Sequence, residues 1–244
     1  MTRIKKISMS LMAISLAIVL FSCNNGEKQE EKKADETVST DTAKIAEPVV
    51  PVFIPFKIVM IKHVVADFDK WKTAYLAHDS MRMAYGITHY RYGRGLDNPN
   101  MVIVMDKVSD IQKAKDFTVL PNLKEAMQKA GVKGKPEFSF ADVIWNEDKK
   151  IDQAERVMIS HKVKDFEAWK KVYDAEGPPK RLENGLIDRG LARGVDDPNM
   201  VYIVFAISDM AKAKARINSE ELKKLMTDAG VAGPPQIFYY KLVD

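Results

Sequence analysis

The sequence predicts an α+β protein whose folded part is one βαββαβ unit written twice in tandem. Three recurrences carry that reading. His63-x-Val65-x-Asp67-Phe68-x-x-Trp71-Lys72-x-x-Tyr75 returns as His161-x-Val163-x-Asp165-Phe166-x-x-Trp169-Lys170-x-x-Tyr173. After one inserted residue, Arg94-Gly95-Leu96-Asp97-Asn98-Pro99-Asn100-Met101-Val102 returns as Arg193-Gly194-Val195-Asp196-Asp197-Pro198-Asn199-Met200-Val201. Ala130-Gly131-Val132-x-Gly134-x-Pro136 then matches Ala229-Gly230-Val231-x-Gly233-x-Pro235. Three blocks in one order mark an internal duplication, and a unit of about 90 residues exceeds solenoid periods and suffices for a small domain.

Each element of the unit has its own signal. Phe56 to Val64 is short, rich in β-branched residues and bounded by Pro55, which predicts a strand. Asp67 is placed to cap a helix carrying Phe68, Trp71, Tyr75 and Leu76 at helical spacing. Gly86 ends that helical region, and Ile87 to Gly93 is extended. Leu96-Asp97-Asn98-Pro99-Asn100 makes a turn into the apolar strand Met101 to Met105, a hairpin. Ser109 or Asp110 caps a second helix with Ile111, Ala114 and Phe117, and Leu123, Ala126 and Met127 mark a further helical stretch that stops at Gly131. Glu137 to Trp145 is the last strand. This order is the ferredoxin-like arrangement, an antiparallel sheet with its helices on one face. The strands carry apolar residues of both parities, so the uncovered face needs a partner, which the second copy supplies.

The chain is thus divided into residues 1–22, 23–55, 56–146 and 155–244. Residues 1–22 are a basic stretch, Arg3-Ile4-Lys5-Lys6, and an apolar run from Ile7 to Phe21, as in a secretory signal peptide. Ser22 precedes Cys23, the single cysteine, in the manner of a bacterial lipobox. The expectation is a lipoprotein anchored in the bacterial cell envelope through Cys23, facing the periplasm or the outer surface. Asn24 to Glu47 holds charges of both signs and no aromatic residue, so it reads as a disordered tether that Pro48, Pro51 and Pro55 stiffen. The formal charge of +4 includes Arg3, Lys5 and Lys6 of the signal, so the mature chain is nearly neutral. With no basic stripe, nucleic acid is not an expected partner. An acylated lone cysteine leaves neither a disulfide framework nor a thiolate nucleophile.

The two repeats resemble the dimeric α+β barrel superfamily, near its antibiotic-biosynthesis-monooxygenase-like branch. The resemblance rests on the element order and on His161-Lys162-Val163-Lys164-Asp165-Phe166-Glu167-Ala168-Trp169 and Arg193-Gly194-Val195-Asp196-Asp197-Pro198. It implies two ferredoxin-like units with sheets face to face around a cavity, here an intramolecular pseudo-dimer, and activities that include cofactor-free oxygenation, isomerisation and haem chemistry. The Asn, Trp and His set of haem-degrading members has no matching positions here, so no catalytic residue carries over.

Among chemistry-bearing residues, His63 and His161 share the parity of Val59 and Ile61, and of Val157 and Ile159. If that face lines the barrel, two imidazoles meet near a pseudo-twofold axis and are candidates to hold a metal, a haem iron or a substrate proton; otherwise each ends its strand and bonds to backbone. No carboxylate or cysteine at ligand spacing accompanies either, so no metal site and no cofactor is assigned, haem being left open. Arg94 and Arg193 either clamp an acidic ligand at the barrel mouth or pair with the turn carboxylates Asp97 and Asp196. His89, Tyr90 and Tyr92 face Asp188, Arg189 and Leu191 across the alignment of the copies, so one pocket has either kept function while the other decayed, or both are relaxed surface. Trp71, Tyr75, Trp169 and Tyr173 read as core aromatics. There is no phosphate loop, zinc helix, nucleophile elbow or dinucleotide fingerprint. The expected role is binding of a small apolar or aromatic molecule in the barrel. The alternatives are a cofactor-independent monooxygenase or isomerase using a cavity His or Tyr, and a structural lipoprotein with a filled barrel.

Overall fold

The computed structural model describes residues 53–243. The signal segment, Cys23, most of the tether, Pro48 and Pro51 lie outside the described residues. The first repeat runs β1 (Phe56–Val65), α1 (Phe68–Ala77), α2 (Asp79–Ala84), β2 (Ile87–Gly95), β3 (Met101–Val108), α3 (Ile111–Thr118), α4 (Pro121–Lys129) and β4 (Val132–Asn146). The second runs β5 (Glu155–Val163), α5 (Phe166–Glu183), β6 (Leu186–Gly194), β7 (Met200–Ile207), α6 (Met210–Ile217), α7 (Glu220–Asp228) and β8 (Val231–Leu242).

All strand pairs are antiparallel, and the strands close into one barrel in the order β1-β3-β2-β8-β5-β7-β6-β4. Each repeat supplies four neighbours, and two seams join them: β2 to β8 through Gly93↔Leu242 and Gly95↔Tyr240, and β4 to β6 through Ala141↔Gly194 and Asn146↔Gly190. Closure satisfies edge groups that an isolated repeat would leave open. The β2–β8 seam depends on Gly93, where a Cβ would lie 2.5 Å from the Tyr240 ring and 2.9 Å from the Lys241 carbonyl.

The two parities of β1 serve different layers. Ile58 and Met60 point inward to a barrel core with Met105, Met158, Ala192 and Tyr240, whereas Val59, Ile61 and Val65 point outward beneath the helices, against Phe68, Trp71 and Phe117. Val157, Ile159 and Val163 do the same beneath α5 and α6. Asp67, Asp110, Asp165 and Asp209 each cap a helix, accepting from the backbone N–H three residues on.

The first helical region of repeat 1 is not continuous to Gly86. It breaks at His78 because the Tyr75 carbonyl turns to the Arg82 guanidinium and the His78 N–H. In repeat 2 the break comes at Gly177, whose φ of 74° interrupts α5 just before Pro178 and Pro179.

Candidate functional site

The outward parity decides where the paired histidines go. His63 and His161 do not meet inside the barrel; they lie on the strand faces covered by the helices, one under each repeat, because Val59, Ile61 and their counterparts are the helix-facing set. Nor do they bond to backbone. Each is 4% exposed, and neither ring nitrogen of either imidazole has a hydrogen-bond partner. Burial lowers both pKa values from 6.5 to about 4, so both rings are neutral at pH 7.

From each imidazole runs the same ladder of side chains. His63 lies 5.5 Å from the Trp71 ring, Trp71 stacks on Tyr75 at 5.2 Å, and the Arg82 guanidinium covers Tyr75 at 3.8 Å. In repeat 2, His161 lies 5.5 Å from Trp169, Trp169 stacks on Tyr173 at 5.2 Å, and Arg181 covers Tyr173 at 4.1 Å. The spacing of one helical turn between Trp and Tyr places both rings on the face that looks at the sheet. Beside each ladder is an apolar cleft between sheet and helices, about 60 Å³ in repeat 1 and about 70 Å³ in repeat 2. Leu123, Ala126 and Met127 of α4 wall the first; Leu222, Leu225 and Met226 of α7 wall the second.

The far end of each ladder is polar, and the copies solve it differently. In repeat 1 the carboxylate is Asp106 on β3, fully buried, which accepts from the Tyr75 hydroxyl at 2.7 Å and lies 3.3 Å from His89 Nδ1 and 3.8 Å from Arg82 Nε. In repeat 2 the carboxylate has moved one strand over: Asp188 on β6 takes two bonds from Arg181, 2.7 Å and 2.9 Å, while Phe205 occupies the place of Asp106. His89 and Asp188 are aligned between the copies, and their difference is matched across the strand pair by that of Asp106 and Phe205. Asp106 escaped the sequence reading because it sits alone in an apolar strand; the exchanged pair was the signal. Burial, then the nearby carboxylate, raises both Tyr75 and Tyr173 well above the ordinary phenol range, so both stay protonated.

Arg94 and Arg193 line none of the cavities described here and do not pair with Asp97 or Asp196. Each donates from Nε to a turn carbonyl, Pro99 at 2.7 Å and Pro198 at 2.9 Å, and lies over a helix-start ring, Phe68 at 4.2 Å and Phe166 at 4.0 Å. The barrel interior is open at one end, as a cavity of about 710 Å³ that Met60, Lys62, Ser160 and Tyr202 line. None of His63, His89 and His161 lines it.

An imidazole with free nitrogens is a suitable axial donor for haem. The clefts do not fit the group: each has room for a few waters, far below the few hundred Å³ of an ordinary cofactor pocket. Among the described residues, no group of three or more His, Cys, Asp or Glu side chains is placed to hold a metal ion.

No protein-family model matches the sequence, and no curated protein is significantly similar to it. Solved structures do resemble the fold. A putative monooxygenase from Fusobacterium nucleatum superposes with a TM-score of 0.50 at 12% identity, over 78% of this chain and 93% of that one. An anthrone oxidase-like protein gives 0.50 and 12%, over 78% and 92%. A putative monooxygenase from Lactobacillus acidophilus gives 0.49 and 15%, over 77% and 94%. The chain therefore shares the fold of these structures, an α+β barrel of two ferredoxin-like units, here with both units in one polypeptide. At this identity the likeness is one of fold.

Proposed function

We propose that this is an envelope lipoprotein, held by an acylated Cys23, whose two helix–sheet clefts bind a small aromatic molecule bearing one hydroxyl. The observation that carries the reading is the unpartnered, deeply buried imidazole at the end of the same aromatic ladder in both repeats. A buried polar group without a partner costs about 1–3 kcal/mol. A hydroxyl donated to the imidazole would remove that cost, and the Trp and Tyr faces would take the ring. The covering helices are lightly seated: α4 buries only Leu123 and α7 buries no residue, so outward movement of either enlarges its cleft.

Proton abstraction is the second reading, and the monooxygenase-like fold neighbours support it. An imidazole near pKa 4 taking a proton from a phenol near 10 faces roughly 8 kcal/mol uphill, whereas accepting a hydrogen bond has no such cost. Binding is therefore ahead of catalysis.

Calorimetric titration of the full chain with phenol tests this. The expected result is two sites per chain, reduced to one by His63→Phe or His161→Phe. Absence of heat across a panel of phenols, or binding unaffected by both substitutions, would refute it. Oxygen consumption with hydroquinone, abolished in the double variant, would instead select the enzymatic reading.

A further inference from the structure

The opposite end of the barrel from the 710 Å³ opening carries a concentration of cations that the clefts do not use. Arg91 of β2, Arg156 of β5 and Arg189 of β6 all line a cavity of about 60 Å³ there, together with Tyr90 and Asn146. Arg156 and Arg189 are each 4% exposed, a depth at which guanidinium groups are seldom found unless paired.

Two equivalent irregularities put side chains here. The β2–β3 register skips Tyr90, and the β6–β7 register skips Arg189, so each is the extra residue of a bulge at the same place in its repeat. A bulge re-aims its side chain, and these two turn into the barrel end.

Arg156 donates to the Gln153 and Glu155 carbonyls, whereas Arg189 is incompletely answered. Arg189 donates from one terminal nitrogen to the Lys149 carbonyl at 2.6 Å, but its buried Nε has no hydrogen-bond partner. Burial, together with nearby Arg91, disfavours its charge, while Glu147 and Asp148 oppose that. Asp148, half exposed in the segment between the repeats, accepts from Arg91 at 2.6 Å and from the Tyr90 hydroxyl. One carboxylate thus already docks at the rim, on Arg91, and Arg189 Nε is left without an acceptor. Behind the arginines the wall turns apolar, with Met60, Met105, Met158 and Val143. Met60, Met158 and Tyr202 also line the larger cavity, so the apolar wall continues through the barrel.

We propose that this end of the barrel binds the carboxylate of an apolar acid, the head on Arg189 and Arg91 and the tail among the interior methionines. A forked guanidinium suits a carboxylate by geometry, and unbranched methionine side chains accommodate an alkyl tail. The site is separate from the twin clefts and stands or falls without them.

Dodecanoate, dodecanol, dodecyl phosphate and acetate, titrated into the full chain, decide the matter. Dodecanoate is expected to bind at least about tenfold more tightly than dodecanol, the usual scale for a charge-assisted pair. Arg189→Gln is expected to remove that preference while leaving dodecanol binding in place. Asp148→Asn, which withdraws the competing carboxylate, is expected to tighten dodecanoate binding. If Arg189→Gln does not fold, Arg91→Gln at the partly exposed rim must weaken dodecanoate selectively. Equal binding of acid and alcohol, tighter binding of dodecyl phosphate, or weaker binding by Asp148→Asn would overturn the assignment.

Discussion

His63 and His161 give the fold a sensitivity to mild acid. Their folded pKa of about 4 lies below the ordinary 6.5, so between those values the unfolded chain binds more protons than the folded one. The stability from keeping them neutral is complete above pH 6.5 and is lost as pH falls towards 4; each loses about 2 kcal/mol by pH 5. Urea midpoints should therefore fall between pH 7 and pH 5, and His63→Phe/His161→Phe should flatten that fall; equal slopes in both proteins would contradict it. The carboxylate exchange gives a second residue-level expectation. Asp106→Phe removes the acceptor of the Tyr75 hydroxyl and the carboxylate nearest Arg82 Nε, while Arg82 keeps Asp79, and should cost about 1–3 kcal/mol. Adding His89→Asp recreates the arrangement of repeat 2 and should recover most of that loss in a double-mutant cycle. A double variant no more stable than Asp106→Phe alone would show that the copies are not interchangeable.

At the scale of elements, most of the order was legible because each signal is local: aspartate caps, the Asp-Asn-Pro-Asn turn, glycine stops. Direction was not. The strand Phe56 to Val65 is apolar on both parities because one face meets helices and the other meets a second sheet, so period-two patterning could not say which face held His63. The break at His78 was also hidden, since a guanidinium seven residues from Tyr75, rather than a Gly or Pro, causes it. Likewise the arginine-rich barrel end depends on two bulges that shift register without any marker residue. Two glycines of positive φ, one after α5 and one within β8, offer a graded test. At Gly185, φ is 78° and a Cβ would lie 2.4 Å from the Asp209 carbonyl, whereas at Gly233, φ is 81° with nothing within 4 Å. Gly185→Ala should lower the melting temperature clearly more than Gly233→Ala, since both carry backbone strain but only one carries a clash. Equal losses would mean that conformation alone sets the cost.

For the whole molecule, the two seams make the repeats interdependent. An isolated repeat exposes the face of Ile58, Met60 and Met105 and two strand edges. Residues 53–148 expressed alone should sediment as a dimer that closes the barrel with a second copy, and a stable monomer would contradict the need for closure. On the proposed function, both clefts of that closed frame present an open hydrogen-bond acceptor to a hydroxylated ring. The most direct measurement is the ¹⁵N spectrum of the His63 and His161 imidazoles at pH 7, recorded as phenol is added. Both rings should begin neutral, and both should move and saturate together as an acceptor nitrogen is engaged. Signals that stay fixed while phenol binds elsewhere, or rings already protonated at pH 7, would contradict the account.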